Sequence, residues 1–128
     1  MRVLLDTHVL LWALLSPSRL STPVRDLLRD PKNEILVSSV SAWEIATKHR
    51  LGKLGGAEDL VRDYHGHLLK FRAEELVMTS AHALLAGRLE PNHRDPFDRM
   101  LAAQSMLEQV PLVTNDQAFK AFGTATLW

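Results

Sequence analysis

Two acidic residues follow short apolar runs at opposite ends of this 128-residue chain. Asp6 comes directly after residues 3–5 (VLL), and Asp116 comes directly after residues 111–115 (PLVTN). Such runs, when helical patterns flank them, indicate strands that are buried on both faces of a parallel sheet. The functional crevice of an open α/β sheet lies beyond the carboxyl ends of its strands. We therefore expect the two carboxylates to meet in one crevice, where they would bind a hard cation.

A third acid, Asp98, lies in the motif at residues 94–99 (RDPFDR). Asp95 as N-cap and Pro96 at the first helical position predict a helix that runs to about residue 108. An acidic first turn complements the helix dipole, so both carboxylates have a purely structural explanation. The alternative is that Asp95 alone caps the helix while Asp98 turns inward, toward the same crevice.

A fourth acid, Glu44, has apolar immediate neighbours, which is unusual for a solvated carboxylate. One explanation is an i,i+4 ion pair with Lys48, worth about 0.2–0.5 kcal/mol. The other is that the helix starts at the carboxyl end of the second strand and points Glu44 into the crevice. Residues 48–50 (KHR) and Lys53 would then form a basic patch beside it, although such patches are more often solvated surface.

Each of these residues also has a simpler interpretation. Asp6 and Asp116 could serve only as N-caps of the helices that follow them. None of the six histidines forms a His-x-x-x-His pair with an attached Glu, so we treat them as surface or structural residues. The exception is His93, which lies beside Arg94 in the polar loop at residues 90–94 and is a candidate phosphate contact.

The elements that must bring the acids together alternate along the chain. Strands are predicted at residues 2–5, 34–37, 75–78 and 112–114, with a short last strand at 124–127. Helices are predicted at residues 7–15, 22–30, about 39–51, 57–71, 81–88 and 96–108, with a short helix or turn at 115–122. Ser80 is the expected cap of the helix at 81–88. This alternation implies a three-layer α/β domain with a mainly parallel sheet of four to five strands.

Composition excludes several classes of protein. The length favours one domain over residues 1–128, and 46% hydrophobic with 23% charged residues is an ordinary globular mixture rather than that of a disordered chain. Basic and acidic residues both number 15, so a surface that binds nucleic acid must be local. The longest apolar run, at residues 9–15, is far short of the roughly 20 residues that a membrane span needs.

The absence of cysteine excludes disulfides, thiolate catalysis and zinc–thiolate sites. Any metal must therefore use oxygen or imidazole ligands. The composition also fits a reducing compartment, and we expect a cytoplasmic protein with no membrane association.

Four segments resemble the PIN-domain ribonucleases and, within them, the VapC-type toxins of bacterial toxin–antitoxin pairs. They are residues 4–8 (LLDTH), 41–44 (SAWE), 93–99 (HRDPFDR) and 112–116 (LVTND), and the resemblance covers essentially the whole chain. It implies an α/β/α PIN-like fold and a set of acids that binds Mg²⁺ or Mn²⁺. Carried over by position, the catalytic and metal-binding residues are Asp6, Glu44, Asp98 and Asp116. Thr114 and Asp95 are supporting residues, and the candidate phosphate contacts are Lys48, His93, Arg94 and Arg99.

Elementary electrostatics agrees with a metal site. Two carboxylates about 4 Å apart repel by roughly 4 kcal/mol at an effective dielectric constant of 20. Several in one crevice would protonate unless a cation neutralised them. A bound Mg²⁺ keeps water ligands, lowers the pKa of an attacking water and polarises a phosphodiester. The resemblance therefore implies a metal-dependent endoribonuclease, acting as a toxin that a VapB-like antitoxin neutralises, in the form of a homodimer.

Two other functions are compatible with acids at strand ends. A receiver-type phosphoacceptor domain also gathers acids and Mg²⁺ there, but it expects an acidic pair after the first strand and a lysine after the last central one. This chain has Thr7 after Asp6, and residues 114–116 (TND) instead of a lysine after the last central strand. The second alternative is a non-catalytic binding module in which the acids are only helix caps.

Overall fold

Strands and helices alternate in the computed structural model, which describes residues 1–90 and 92–128. The strands are β1 (Arg2–Leu5), β2 (Glu34–Ser38), β3 (Ala73–Leu76), β4 (Leu112–Val113) and β5 (Thr126–Leu127). The α-helices are α1 (Thr7–Leu15), α2 (Thr22–Arg29), α3 (Ser39–Arg50), α4 (Glu58–Arg62), α5 (Tyr64–Phe71), α6 (Ser80–Arg88) and α7 (Pro96–Glu108). Short 3₁₀ helices span Pro17–Arg19 and Gln117–Phe122.

The five strands form one sheet in the order β3-β2-β1-β4-β5, and every neighbouring pair runs parallel. The predicted α/β fold with a mainly parallel sheet is confirmed, at the upper end of the expected four to five strands. Because the strands are parallel, their carboxyl ends lie at one edge of the sheet. Residues that directly follow β1, β2 and β4 are therefore brought near one another.

The central strand β1 shows why the apolar runs become strands. Its last three residues are fully buried, with Val3 and Leu5 in one core cluster and Leu4 in another. Successive side chains of a strand point to opposite faces, so α1 packs on one face and α7 on the other. Burying each leucine contributes about 1.5–3 kcal/mol. Because both faces of the sheet are covered by apolar side chains, the polar groups lie at the carboxyl ends of the strands.

Strand β3 lies two residues earlier than the sequence predicts, at Ala73–Leu76 rather than 75–78. It is an edge strand whose Glu74 and Glu75 are exposed, so its backbone pairing with β2 needs no apolar run. Val77 and Met78, which end the predicted strand, follow it and are exposed. A pattern rule for buried central strands therefore misplaced this edge strand.

The helix predicted at residues 57–71 is two helices, α4 and α5. The chain breaks at Asp63, which caps α5 by accepting a hydrogen bond from the Gly66 amide at 3.3 Å. Within the described parts of the chain, no helix has the length and apolar character needed to cross a bilayer.

Helix α6 is capped by Thr79. The sequence-based prediction of Ser80 as the cap is wrong. The amide of His82 donates to Thr79 Oγ1 at 3.2 Å, and the Thr79 amide donates to His82 Nδ1 at 3.0 Å. His82 Nε2 lies 3.2 Å from Oε2 of Glu108 on α7. This buried histidine is therefore structural, in line with the prediction for most histidines of the chain.

Candidate functional site

Asp6 is buried at the carboxyl end of β1, with 3% of its surface exposed. Its side chain makes no capping hydrogen bond to α1. Instead its Oδ2 accepts a hydrogen bond from the Thr114 hydroxyl at 2.7 Å and lies 3.1 Å from His8 Nδ1. Burial raises the pKa of the Asp6 carboxyl above its ordinary value, and the charge of Glu44 adds to this, against the lowering effects of His8 and Thr114. The cap interpretation of Asp6 therefore does not describe its side chain.

Glu44 lies on α3, which begins directly at the end of β2. Ser38 caps this helix by accepting from the Val40 amide at 3.1 Å. The hydroxyls of Thr7 and Ser41 meet at 2.9 Å and join α1 to α3. Glu44 is buried, and its Oε1 has no hydrogen-bond partner among the residues that the structure describes. Both acids thus lie inside the protein, and Glu44 is close enough for its charge to act on Asp6.

Lys48 makes the ion pair with Glu44 that the i,i+4 spacing predicts, with 2.6 Å between Nζ and Oε2. Its side chain is 43% exposed, whereas that of Glu44 is 6% exposed. Partial burial lowers the pKa of the Lys48 ammonium, but the hydrogen bond and charge of Glu44, with the charges of Asp95 and Asp98, raise it above its ordinary value. Lys48 therefore carries a full positive charge among three acids.

Asp98 comes from the first turn of α7. Asp95 caps this helix, as predicted, by accepting from the amides of Phe97 at 2.9 Å and Asp98 at 3.3 Å. The Asp98 side chain is left for another contact, and its Oδ2 lies 2.9 Å from His93 Nε2. Burial raises the pKa of Asp98 to about 6; the His93 hydrogen bond opposes this, and the charges of Asp95 and Asp6 add to it.

We call Asp6, Glu44 and Asp98 the acid crevice. The charge of Glu44 acts on Asp6, and the charge of Asp6 acts on Asp98, so Asp6 links the other two acids. Each member has a base within hydrogen-bonding distance, namely His8, Lys48 and His93 respectively.

Asp116 is placed differently from the other three acids. Its side chain is exposed and caps the 3₁₀ helix by accepting from the Ala118 amide at 2.9 Å. It reaches the acid crevice through Thr114, whose Oγ1 accepts from the Asp116 amide at 3.0 Å while donating to Asp6. Its cap role is thus present in the structure, and its role as a metal ligand stays a prediction.

The candidate phosphate contacts also differ from one another. Arg94 is exposed beside His93 in the loop before α7, of which Pro91 lies outside the described residues. Arg99 has its guanidinium turned to backbone carbonyls: Nε donates to Ala86 at 2.8 Å and Nη2 to Leu89 at 2.8 Å. Arg99 therefore holds the end of α6 against α7, and its contact with a phosphate stays a prediction.

His8 is a site residue that the sequence interpretation missed. It was grouped with the surface or structural histidines, yet it lies against Asp6, and its Nε2 is 2.8 Å from Oδ1 of Asn115. It thereby bridges the residues that follow β1 and β4. The signal available was its position two residues after the buried acid, inside the LDTH segment.

The oxygen ligands of the acid crevice are of the type that binds a divalent cation, but the side chains are not close enough together to hold one. Within residues 1–90 and 92–128, no three Asp, Glu or His side chains are arranged so that they could hold a metal ion. The acid crevice nevertheless offers hard oxygen donors, the enclosed Oε1 of Glu44 has no partner among the described residues, and two of its carboxyls have raised pKa values. A buried carboxylate oxygen that lacks a hydrogen bond is costly. A cation that drew the acids together would remove that cost.

Comparison with known proteins gives the family. A sequence model described as PIN domain matches residues 3–124 of the chain. The chain belongs to the PIN domain family. PIN domains are generally nucleases, that is, hydrolases. Among curated proteins, no sequence matches this PIN domain significantly.

Solved structures share the fold of this PIN domain at low sequence identity. VapBC2 from Rickettsia felis, bound to a DNA fragment from its promoter, aligns with a TM-score of 0.72 and 19% identity, covering 100% of this chain and 99% of that one. FitAcB from Neisseria gonorrhoeae gives 0.67 and 17%, covering 98% and 96%. FitAB bound to an IR36 DNA fragment gives 0.70 and 20%, covering 98% and 93%. The sequence-based resemblance to PIN proteins of the VapC type is thus matched by the fold.

Proposed function

We propose that this PIN domain, taken as one domain over residues 1–128, is an endoribonuclease that depends on Mg²⁺ or Mn²⁺ and hydrolyses RNA phosphodiester bonds. The observation that carries the proposal is the enclosed carboxylate of Glu44, whose Oε1 has no partner among the described residues and whose charge acts on Asp6. Each of two neighbouring buried carboxylates disfavours the ionised form of the other. A protein that keeps such groups together gains from a divalent cation between them.

The acid crevice would hold the ion directly or through water, and Asp116 would complete the set from the end of β4. When bound, a divalent ion polarises the phosphodiester and lowers the pKa of a water molecule. The Thr114 hydroxyl fixes the orientation of the Asp6 carboxylate through its 2.7 Å hydrogen bond. A carboxylate of the set would orient the attacking water or accept its proton.

The basic residues around the crevice are unequal candidates for phosphate contacts. Arg94 is exposed and adjacent in sequence to His93, whose ring contacts Asp98, and this supports both as contacts for the phosphodiester. Lys48 is half-exposed beside Glu44. Arg99 is the weakest candidate, because backbone carbonyls at the end of α6 take up its guanidinium.

The biological role that we infer is that of a toxin, with a VapB-like antitoxin as partner, in a cytoplasmic homodimer. The inference rests on the resemblance of four sequence segments to VapC-type toxins and on the shared fold with VapBC2 and FitAB. Expression of the chain alone should arrest growth, and co-expression of a cognate VapB-like antitoxin should restore it. Growth unaffected by the chain alone would contradict the toxin role without bearing on the chemistry.

The nuclease proposal is tested by RNA cleavage with Mg²⁺ or Mn²⁺, in comparison with chelator and with single-stranded DNA of the same sequence. We expect cleavage of RNA that needs the ion and that falls by about 100- to 1,000-fold in Asp6→Asn. Asp63→Asn is the matched control, since Asp63 is an exposed aspartate that caps α5. Equal cleavage in chelator would overturn the proposal.

A non-catalytic binding module is the remaining alternative, in which the acids serve only as helix caps. It predicts that RNA binds to the protein without being cut under any metal condition. The receiver-type alternative has no support from the family match.

A further inference from the structure

The acid crevice contains a permanent positive charge contributed by the chain itself. The Lys48 ammonium lies 2.6 Å from Glu44 Oε2 and is near enough to Asp95 and Asp98 for their charges to act on it. It comes from α3, whereas Asp95 and Asp98 come from α7. Lys48 thus faces acids of two helices, which is more than an i,i+4 pair on a helix surface provides.

The two oxygens of the Glu44 carboxylate are used differently. Oε2 is taken by Lys48, whereas Oε1 is enclosed and has no partner among the described residues. The lysine therefore leaves one oxygen of the carboxylate available to a ligand. A divalent cation could take Oε1 without displacing the ammonium from Oε2.

The exposure of the two side chains fits the same division. Glu44 is 6% exposed and Lys48 is 43% exposed, so the ammonium approaches from the solvent side of a carboxylate that is otherwise enclosed. The interior side is then left to the free oxygen and to Asp6, on which Glu44 acts. Nothing in this arrangement requires Lys48 to leave when an ion enters.

The charges of the three acids of the crevice and of Lys48 balance with one divalent ion. Asp6, Glu44 and Asp98 carry three negative charges when ionised, and Lys48 carries one positive charge. The remaining two negative charges equal the charge of a single Mg²⁺ or Mn²⁺. Nucleases with two metal ions place the second about 3.5–4 Å from the first, which requires further negative charge. Asp95 is occupied as a helix cap, and Asp116, which would complete the ligand set, is exposed to solvent, so neither places a further charge inside the crevice.

We propose that the Lys48 ammonium takes the place of a second metal ion, so that the acid crevice holds one divalent cation per chain. This inference rests on the proposed function, because it presumes that the crevice binds a divalent ion. It makes Lys48 a positioning residue that sets the number of ions, in addition to any contact with a phosphate.

The test is a titration of the full chain with Mn²⁺ alone, without RNA, in which bound ions are counted by calorimetry and by electron paramagnetic resonance. We expect one ion per chain for the wild type and two for Lys48→Met, which removes the charge and keeps much of the length. Lys48→Arg, which keeps a positive charge, should bind one. Lys53→Met is the control, since Lys53 is an exposed lysine just after α3, and it should also bind one.

Each outcome decides between the two proposals. Two ions on the wild type, or one ion on Lys48→Met, would overturn the role of Lys48 and leave the nuclease proposal intact. No bound Mn²⁺ on any of these proteins would remove the metal site itself.

Folding of the neutral variant is checked by circular dichroism with saturating Mn²⁺, and Lys48→Gln serves as a second neutral variant. A second ion would restore the missing positive charge, so both variants should fold under that condition. Failure of both to fold with Mn²⁺ present would also overturn the proposal.

Discussion

Asp6 and Asp116 follow neighbouring parallel strands and look alike in the sequence, yet their side chains do different things. Asp6 is buried, makes no capping bond and accepts the Thr114 hydroxyl. Asp116 is exposed and caps a 3₁₀ helix through the Ala118 amide. The helix after Asp6 packs into the core, whereas the one after Asp116 starts at the surface. An acid that follows a strand therefore faces inward or caps the next helix according to how deeply its own position is buried.

The strongest way to test this contrast is Asp6→Asn. Loss of the buried carboxylate should lower RNA cleavage by about 100- to 1,000-fold, as for the loss of one preorganised electrostatic group. Because burial raises the pKa of Asp6, its ionised form opposes folding at neutral pH, so the neutral amide should leave the protein at least as stable. Cleavage rates and urea unfolding at pH 7 measure both effects. A variant that is active, or inactive because it is unfolded, would contradict the assignment.

The second prediction concerns the residue that touches both acids. Thr114→Val removes the donor to Asp6 and the acceptor for the Asp116 amide, so it should cost about 1–3 kcal/mol of unfolding free energy. Cleavage should fall by about tenfold through the misplaced carboxylate. Thr124→Val is the matched control, since the buried Thr124 hydroxyl has no partner among the described residues and should be removable without loss. Equal effects of the two substitutions would mean that the link through Thr114 is unimportant.

A third prediction uses pH on the metal-free protein. The pKa of Asp98 is raised by burial from 3.8 to about 6, so the folded state binds this proton more tightly than the unfolded chain. The stabilisation is complete below about pH 4 and is lost as the pH rises through 6, by about 1–2 kcal/mol after allowance for solvent. Unfolding free energies in chelator between pH 4 and 7 should therefore fall, and Asp98→Asn should flatten the profile. An unchanged slope in the variant would assign the effect to other groups.

The smallest effect is expected at Asp116. Asn caps a helix nearly as well as Asp, so Asp116→Asn should leave the unfolding free energy within about 0.5 kcal/mol. If Asp116 also completes the metal set, Mn²⁺ affinity should fall while stability does not. Calorimetric titration beside a thermal melt separates these roles. An unchanged Mn²⁺ affinity would mean that Asp116 acts only as a helix cap.

The sequence predicts the central strands β1, β2 and β4 well, because an apolar run of this length has few structural alternatives to a buried strand. It fails where burial does not dominate, as at the edge strand β3, whose exposed Glu74 and Glu75 carry no such signal. It also joined α4 and α5, since a single capping aspartate at Asp63 is enough to divide a helical pattern.

For the site, residue types and spacing suggested the acids and the Glu44–Lys48 pair, which the structure contains. They could not separate the buried Asp6 from the exposed Asp116, because an aspartate caps or faces inward with the same local sequence. They also missed His8, whose contact with Asp6 depends on the turn of α1 beyond β1. Such contacts follow from tertiary packing rather than from local pattern.

The hydrogen bond between Thr7 and Ser41 has a consequence for ligand entry. These two short hydroxyl side chains lie one residue after Asp6 and three residues before Glu44, and they tie α1 to α3 at 2.9 Å. Short side chains have few rotamers, so the gap between the two helices is set by the backbone and varies little. An incoming ion would then need to reorient only the longer side chains of the pocket, while the framework that carries them stays at rest.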